Sequence, residues 1–276
     1  MKTIIVNVTG HDTMPKVLKT AVALAERNSA HLIGLYVIHQ RVAMSGLYSW
    51  GSAYSFPNTS KAELKNCAIA EAAFRDSVAY TGLDHEFRCI DKSGASPLLE
   101  VTAQARLANL FIIGAETGWY DDKSGQADVI GEIIEGSGRP VLVIPEDGPD
   151  APTFNRATIG WDGSREASRA VFDAIPLLKS FDQVELISVT VGEADLERRR
   201  LSLARIVESL DRYGITATVQ TVDGSRKSTK ILAKIAKTSD LMVLGASHHT
   251  RAHELFFGSV TLGFLKSPPC AVMFSS

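Results

Sequence analysis

D-L-M-V-L-G-A-S-H-H-T-R-A-H-E-L-F-F-G-S-V-T, residues 240–261, is the stretch whose reading decides the fold. Leu241–Leu244 is a short, wholly apolar run of the length of one buried strand. Gly245 ends it, and a polar segment read as a loop follows. Gly258-Ser259-Val260 then opens an apolar, helix-like segment. Strand, glycine turn, loop and helix start together make a cradle for an anion. The free N–H groups of a helix N-terminus and the close backbone approach that glycine permits both favour phosphate. Any α/β domain contains such a strand–turn–helix, so the rest of the chain must supply the context.

Working outward, the same alternation runs through the whole sequence. Strands are expected over 3–8, 32–38, 85–90, 110–113 and 141–144, with helices over 14–26, 62–79, 97–107 and from about Asp128. Residues 40–60 break the pattern with Gly46, Gly51, Pro57 and the aromatics Tyr48, Trp50, Tyr54 and Phe56, and read as one long loop. Glu146–Pro152, rich in proline and glycine, reads as a linker. Beyond it, strands are expected over 158–161, 184–189, 216–222, 241–244 and 271–274, with helices over 164–178, 196–213, 229–237 and from Gly258.

The second half repeats the first. Gly10 matches Gly163 at an offset of 153, and Val37 matches Val189 at 152. Gly114 matches Gly245, and Val141 matches Val272, both at 131. The offset falls by 21 because the first copy carries the insertion at 40–60, so a single event explains the drift. Two domains follow, 1–146 and 155–276, each of five strands and four helices. Near-continuous apolar strands imply parallel sheets covered on both faces. The fold class is therefore α/β, two tandem doubly wound five-stranded parallel sheets. Ligands of such sheets bind beyond the carboxyl ends of the strands, where the strand order switches.

Composition excludes several functions. The 276 residues are 45% hydrophobic and 22% charged, with a net charge of −2. That balance gives no electrostatic case for nucleic-acid binding. No run approaches the length of a membrane span. The opening M-K-T-I-I-V-N-V-T-G lacks the apolar core of a signal peptide, so a cytoplasmic location is expected. Cys67, Cys89 and Cys270 form no C-x-x-C pair and read as reduced thiols, each a small core residue.

Two motifs of the second half resemble the universal stress protein family. Trp161-Asp162-Gly163-Ser164 with Ser168 and Ala170 is similar to that family's first-strand D-G-S-x-x-S-x-x-A. Asp240 to Val260 is similar to its D-L-I-V-x-G followed by G-x2-G-x9-G-[ST]. The resemblance implies a stress-response protein acting by nucleotide-linked binding or signalling, with ATP or a related adenine nucleotide in the second domain. Carried over by position, Asp162 and Val189 would meet the nucleoside, and Gly245, Gly258, Ser259 and Val260 would surround the phosphates. His248 stands where the family has its second glycine, with a steric cost if positive φ is needed there and a ring that could fill phosphate space or donate to it. The family's fifth strands commonly pair, so 141–144 and 271–274 are expected to meet in an intramolecular pseudo-dimer, leaving other surfaces for a homodimer.

The first domain departs further from the pattern. Thr9, Thr117 and Ala127-Asp128 replace the acid, the second glycine and the Gly-Ser. Asp128, placed at a helix start, is expected to cap the free N–H groups and repel phosphate. Alternatives to a nucleotide protein are a scaffold that binds a partner without nucleotide, and a slow ATPase. His248, His249 and His253 show no H-E-x-x-H and read as solvated loop residues. G-S-V-T around Ser259 is not a nucleophile elbow. Arg198-Arg199-Arg200 reads as a solvated helix face, with an anionic partner as the alternative.

Overall fold

The computed structural model describes residues 1–9, 14–38, 61–91, 96–117, 123–149, 152–224, 228–246, 248–251 and 254–276, with the backbone alone at 228, 248–251 and 254–257. The insertion at 40–60 lies outside the described residues. In the first half the elements are β1 Thr3–Asn7, α1 Met14–Asn28, β2 His31–Val37, α2 Lys61–Val78, β3 His85–Ile90, α3 Pro97–Ala105, β4 Leu110–Gly114, α4 Lys123–Ser137 and β5 Val141–Ile144. The second half has β6 Arg156–Gly160, α5 Arg165–Leu178, β7 Gln183–Thr190, α6 Gly192–Asp211, β8 Ala217–Asp223, α7 Ser228–Ala236, β9 Leu241–Gly245, β10 His248–Arg251, β11 Glu254–Phe257, α8 Ser259–Lys266 and β12 Ala271–Ser275.

Ten strands form one sheet in the order β3-β2-β1-β4-β5-β12-β9-β6-β7-β8. Within each half every pair is parallel. The halves join at the expected fifth strands, β5 and β12, which pair antiparallel with Met273 opposite Leu142. One apolar core lies on each face and runs through both halves: α1, α2, α5 and α6 cover one, and α3, α4, α7 and α8 the other. Among the described residues no helix is long and apolar enough to cross a membrane.

The duplication is visible in a hydrogen-bonding device as well as in topology. Asn109 Oδ1 accepts from the backbone N–H groups of Lys2 (2.8 Å) and Thr3 (3.0 Å), tying the start of β1 to the start of β4. Asp240 Oδ2 accepts from Asn155 and Arg156, both at 2.9 Å, tying β6 to β9 in the same way, and Oδ1 accepts from Thr153. The acidic residue of D-L-M-V-L-G therefore anchors strands, at the sheet end opposite the cleft. Asp240→Ala leaves those donors without acceptors and is expected to cost about 2 kcal/mol in urea denaturation. Asp240→Asn, which copies the first half, is expected to cost less than about 1 kcal/mol. Equal losses in the two variants would mean that the charge, rather than the acceptor, holds the strands.

Three sequence expectations are corrected. Residues 246–257 are not simply a loop, because β10 and β11 form a separate two-stranded antiparallel sheet. The fourth helix of the first half starts at Lys123 rather than at Asp128, which is an exposed residue inside α4. Cys67 and Cys89 are not free thiols: α2 packs on the edge strand β3, and the two are joined in a disulfide with Cα atoms 6.5 Å apart. Cys270 is free and buried, and burial first, then the negative charge of Asp240, pushes its thiol up to about 12. It is thus held in the unreactive protonated form.

Candidate functional site

The cleft lies at the carboxyl ends of β6 and β9, where the strand order of the second half reverses. Its first wall is the turn after β6. Gly163 has φ +72, in the left-handed region that glycine enters without strain. Asp162 Oδ1 accepts from Ser164 N–H at 2.9 Å, closing the turn on itself. Ser164 then caps α5, its side chain accepting from Ala167 N–H at 3.1 Å. D-G-S is thus first a strand-to-helix connector, and its second carboxylate oxygen is what remains for a ligand.

Gly245 lines the cleft and also has a packing job that the sequence did not announce. A Cβ there would lie 2.5 Å from Ala167 N and Glu166 C and 2.8 Å from Glu166 O. What approaches Gly245 closely is the backbone of α5, so this glycine seats the helix that carries the first wall.

The opposite wall is the start of α8. Gly258 is its N-cap residue and supplies no side-chain cap. The first intrahelical bond runs from Leu262 N–H to Gly258 O at 3.0 Å, so the N–H groups of Ser259, Val260 and Thr261 have no intrahelical acceptor. The β10–β11 hairpin delivers this helix start. It pairs His248 with Phe257, the residue before Gly258, and so folds the chain back from Gly245 to Gly258. His248 opens a strand. A strand is extended backbone, unlike the left-handed turn that a glycine at this position would allow.

Between the walls is a cavity of about 320 Å³. Ile187 and Val189 of β7, Leu232 of α7, Leu244 of β9 and Trp161 give it an apolar floor. Of the seven residues expected from sequence, Asp162, Val189, Gly245, Gly258, Ser259 and Val260 line this one cavity. For His248 only the backbone is placed. The sequence reading missed Arg199, which also lines the cavity. It was read as one third of a solvated run, whereas its neighbours Arg198 and Arg200 are the exposed members, at 74% and 62%. Successive helix residues point about 100° apart, and that spacing was the available signal. Asp195, one turn earlier, is held below the usual carboxylate range chiefly by its hydrogen bond from Arg198.

The model of the Universal stress protein family matches residues 153–275. This half of the chain belongs to the universal stress protein family. The matched range includes every residue that lines the cleft. Across the whole chain the fold is similar to a universal stress protein from Archaeoglobus fulgidus DSM 4304, at 15% identity and TM-score 0.73, covering 99% of this chain and 98% of that one. A putative universal stress protein from Pseudomonas aeruginosa UCBPP-PA14 is similar at 14% identity and TM-score 0.63, covering 100% and 93%. The cytoplasmic domain of a prokaryotic cation chloride cotransporter is similar at 11% identity and TM-score 0.51, covering 99% and 95%. No curated protein matches the sequence.

The first half shares the fold but not the cleft wall. α4 begins ahead of Asp128, and Ala127, in the place of Gly258, is buried within the helix. Thr117 N–H is taken by Gln126 Oε1 at 3.0 Å. Asp128 is therefore not the cap that the sequence suggested. Early initiation of α4 moves the helix start away from the position that Ser259 holds in the universal stress protein half.

Proposed function

We propose that the chain is a cytoplasmic tandem stress-response protein whose second domain, 155–276, binds ATP or a related adenine nucleotide. The observation that carries this is the two-ended character of the cleft: an apolar floor at Val189 and Leu232, and an uncapped helix start at Gly258-Ser259. The floor suits a base, and the free N–H groups with the Ser259 hydroxyl suit phosphate. Asp162 offers its remaining acceptor to the nucleoside. The first domain, 1–146, serves as the other half of a pseudo-dimer built on β5 and β12, with a homodimer as the next level of assembly.

Nucleotide binding here is a signal and not a reaction. The residues lining the cleft orient and hold, and among the described ones no hydroxyl is hydrogen-bonded to a basic side chain. Equilibrium titration with ATP, read by the fluorescence of Trp161 at the cleft, is expected to saturate below millimolar ATP. An unchanged spectrum, with no heat of binding at millimolar nucleotide, would sink the proposal and leave the partner-binding scaffold as the reading.

A further inference from the structure

Arg199 is the feature of the cleft that the family motif does not account for. It sits on α6, the helix that follows the strand carrying Val189. Its side chain is 19% exposed, its Nε is buried, and that Nε makes no hydrogen bond. The nearest carboxylate, Asp195, stands 3.3 Å from Nε but is already engaged: Oδ1 accepts from Arg198 at 2.6 Å and Oδ2 from Val191 N–H at 3.0 Å. Nη1 lies 3.6 Å from where a Cβ on Gly163 would be, so the guanidinium rests against the Asp162–Ser164 turn. No ion pair joins it to Asp162 among the described residues.

A guanidinium has five donors in a rigid fork that fits phosphate or carboxylate oxygens. Here Nε is buried without a hydrogen bond, and the one carboxylate paired with it is shared with Arg198, so a ligand anion at the cleft edge of the fork would add the charge-assisted bonds that Asp195 does not supply. The free helix start of α8 lies on the other wall of the same cavity. An anion between the walls would receive backbone N–H groups from one side and a fork from the other.

We propose that Arg199 binds the anionic part of the ligand, so that the cleft selects phosphorylated nucleotides over nucleosides. This rests on the nucleotide reading and names the group that gives it phosphate selectivity. It also explains why only one member of the run Arg198–Arg200 faces inward.

The test is calorimetric titration of ATP, adenosine and inorganic triphosphate into wild type, Arg199→Gln, Arg199→Lys and the exposed control Arg200→Gln. Arg199→Gln is expected to weaken ATP about tenfold to a hundredfold, the range for a lost charge-assisted pair, and to leave adenosine within about twofold. Arg199→Lys should recover part of the loss, since it restores charge but not the fork. Arg200→Gln should bind as wild type does. Unaltered ATP affinity in Arg199→Gln overturns the proposal. So does an equal loss of adenosine, which would make Arg199 a support for the base or the fold. If wild type binds neither ATP nor adenosine, the nucleotide reading has failed. The Arg199 proposal then stands only if wild type takes inorganic triphosphate and Arg199→Gln does not, and it falls if neither binds it.

Discussion

Gly245→Ala is expected to destabilise the universal stress protein half by about 3 kcal/mol or more, enough to leave much of the chain insoluble on expression. The added methyl would meet backbone, not a movable side-chain tip: Ala167 N and Glu166 C at 2.5 Å, and Glu166 O at 2.8 Å. Relief requires α5 to withdraw from β9 by about an ångström. That helix is fixed at its start by the Ser164 cap and along its length by buried Ala167, Ala170, Val171 and Ala174. It also packs on β12, whose Ser275 hydroxyl donates to Asp173, so withdrawal would loosen the strand that joins the two halves. Gly263→Ala is the control. Its methyl would meet only Thr229 Cγ2, at 2.7 Å, a side-chain atom at the surface of α7. Alanine gains helix propensity in α8, so that variant should lie within about 1 kcal/mol of wild type. Urea denaturation followed by circular dichroism compares them. A Gly245→Ala protein with the wild-type midpoint would show that α5 can shift freely, and the glycine's role would then have to be sought at the ligand.

Much of this was legible in the sequence because the chain says it twice. The offset of 131 between Gly114 and Gly245 also relates Asn109 to Asp240, and the offset of 153 relates Lys2 and Thr3 to Asn155 and Arg156. Those are the residues of the two strand anchors, so the arithmetic of the repeat had already paired the partners of hydrogen bonds. Wholly apolar runs such as Leu110–Ile113 and Val141–Ile144 are equally plain, because strands buried on both faces favour apolar side chains at successive positions.

What escaped was whatever depends on contacts between distant segments. H-H-T-R and E-L-F-F have neither alternation nor an Asn-Gly turn, so nothing local announced β10 and β11. Asp121, Asp122 and Ser124 are all residue types that cap helices and could have placed the helix start ahead of Asp128, but the register was borrowed from Ser259. The disulfide required knowing that α2 lies over an edge strand. Arg199 differs from Arg198 and Arg200 only in direction, which a charge count cannot express.

Ser259→Asp separates the two meanings of a helix start, because it is expected to move stability and affinity in opposite directions. Ser259 is the first residue of α8, exposed at the cleft, and the turn it opens has no side-chain cap. A carboxylate there meets the positive end of the helix and should leave folding unchanged or improve it by about 0.3–1 kcal/mol. The same carboxylate satisfies the N–H groups that would hold phosphate. It also repels each phosphate charge at 4 Å by about 4 kcal/mol in an effective dielectric of about 20. A loss of affinity for ATP of about a hundredfold or more should follow, which is only about 2.7 kcal/mol. Ser259→Ala removes one hydroxyl donor and should cost no more than about tenfold. The converse change in the first half, Asp128→Ser, is expected to create no nucleotide binding at all, since α4 is already under way when the chain reaches that residue. Titration of the three variants with ATP, beside their thermal melts, decides the point. Wild-type affinity in Ser259→Asp would put the phosphates away from α8. Binding gained by Asp128→Ser would restore the capping explanation that the early start of α4 displaced.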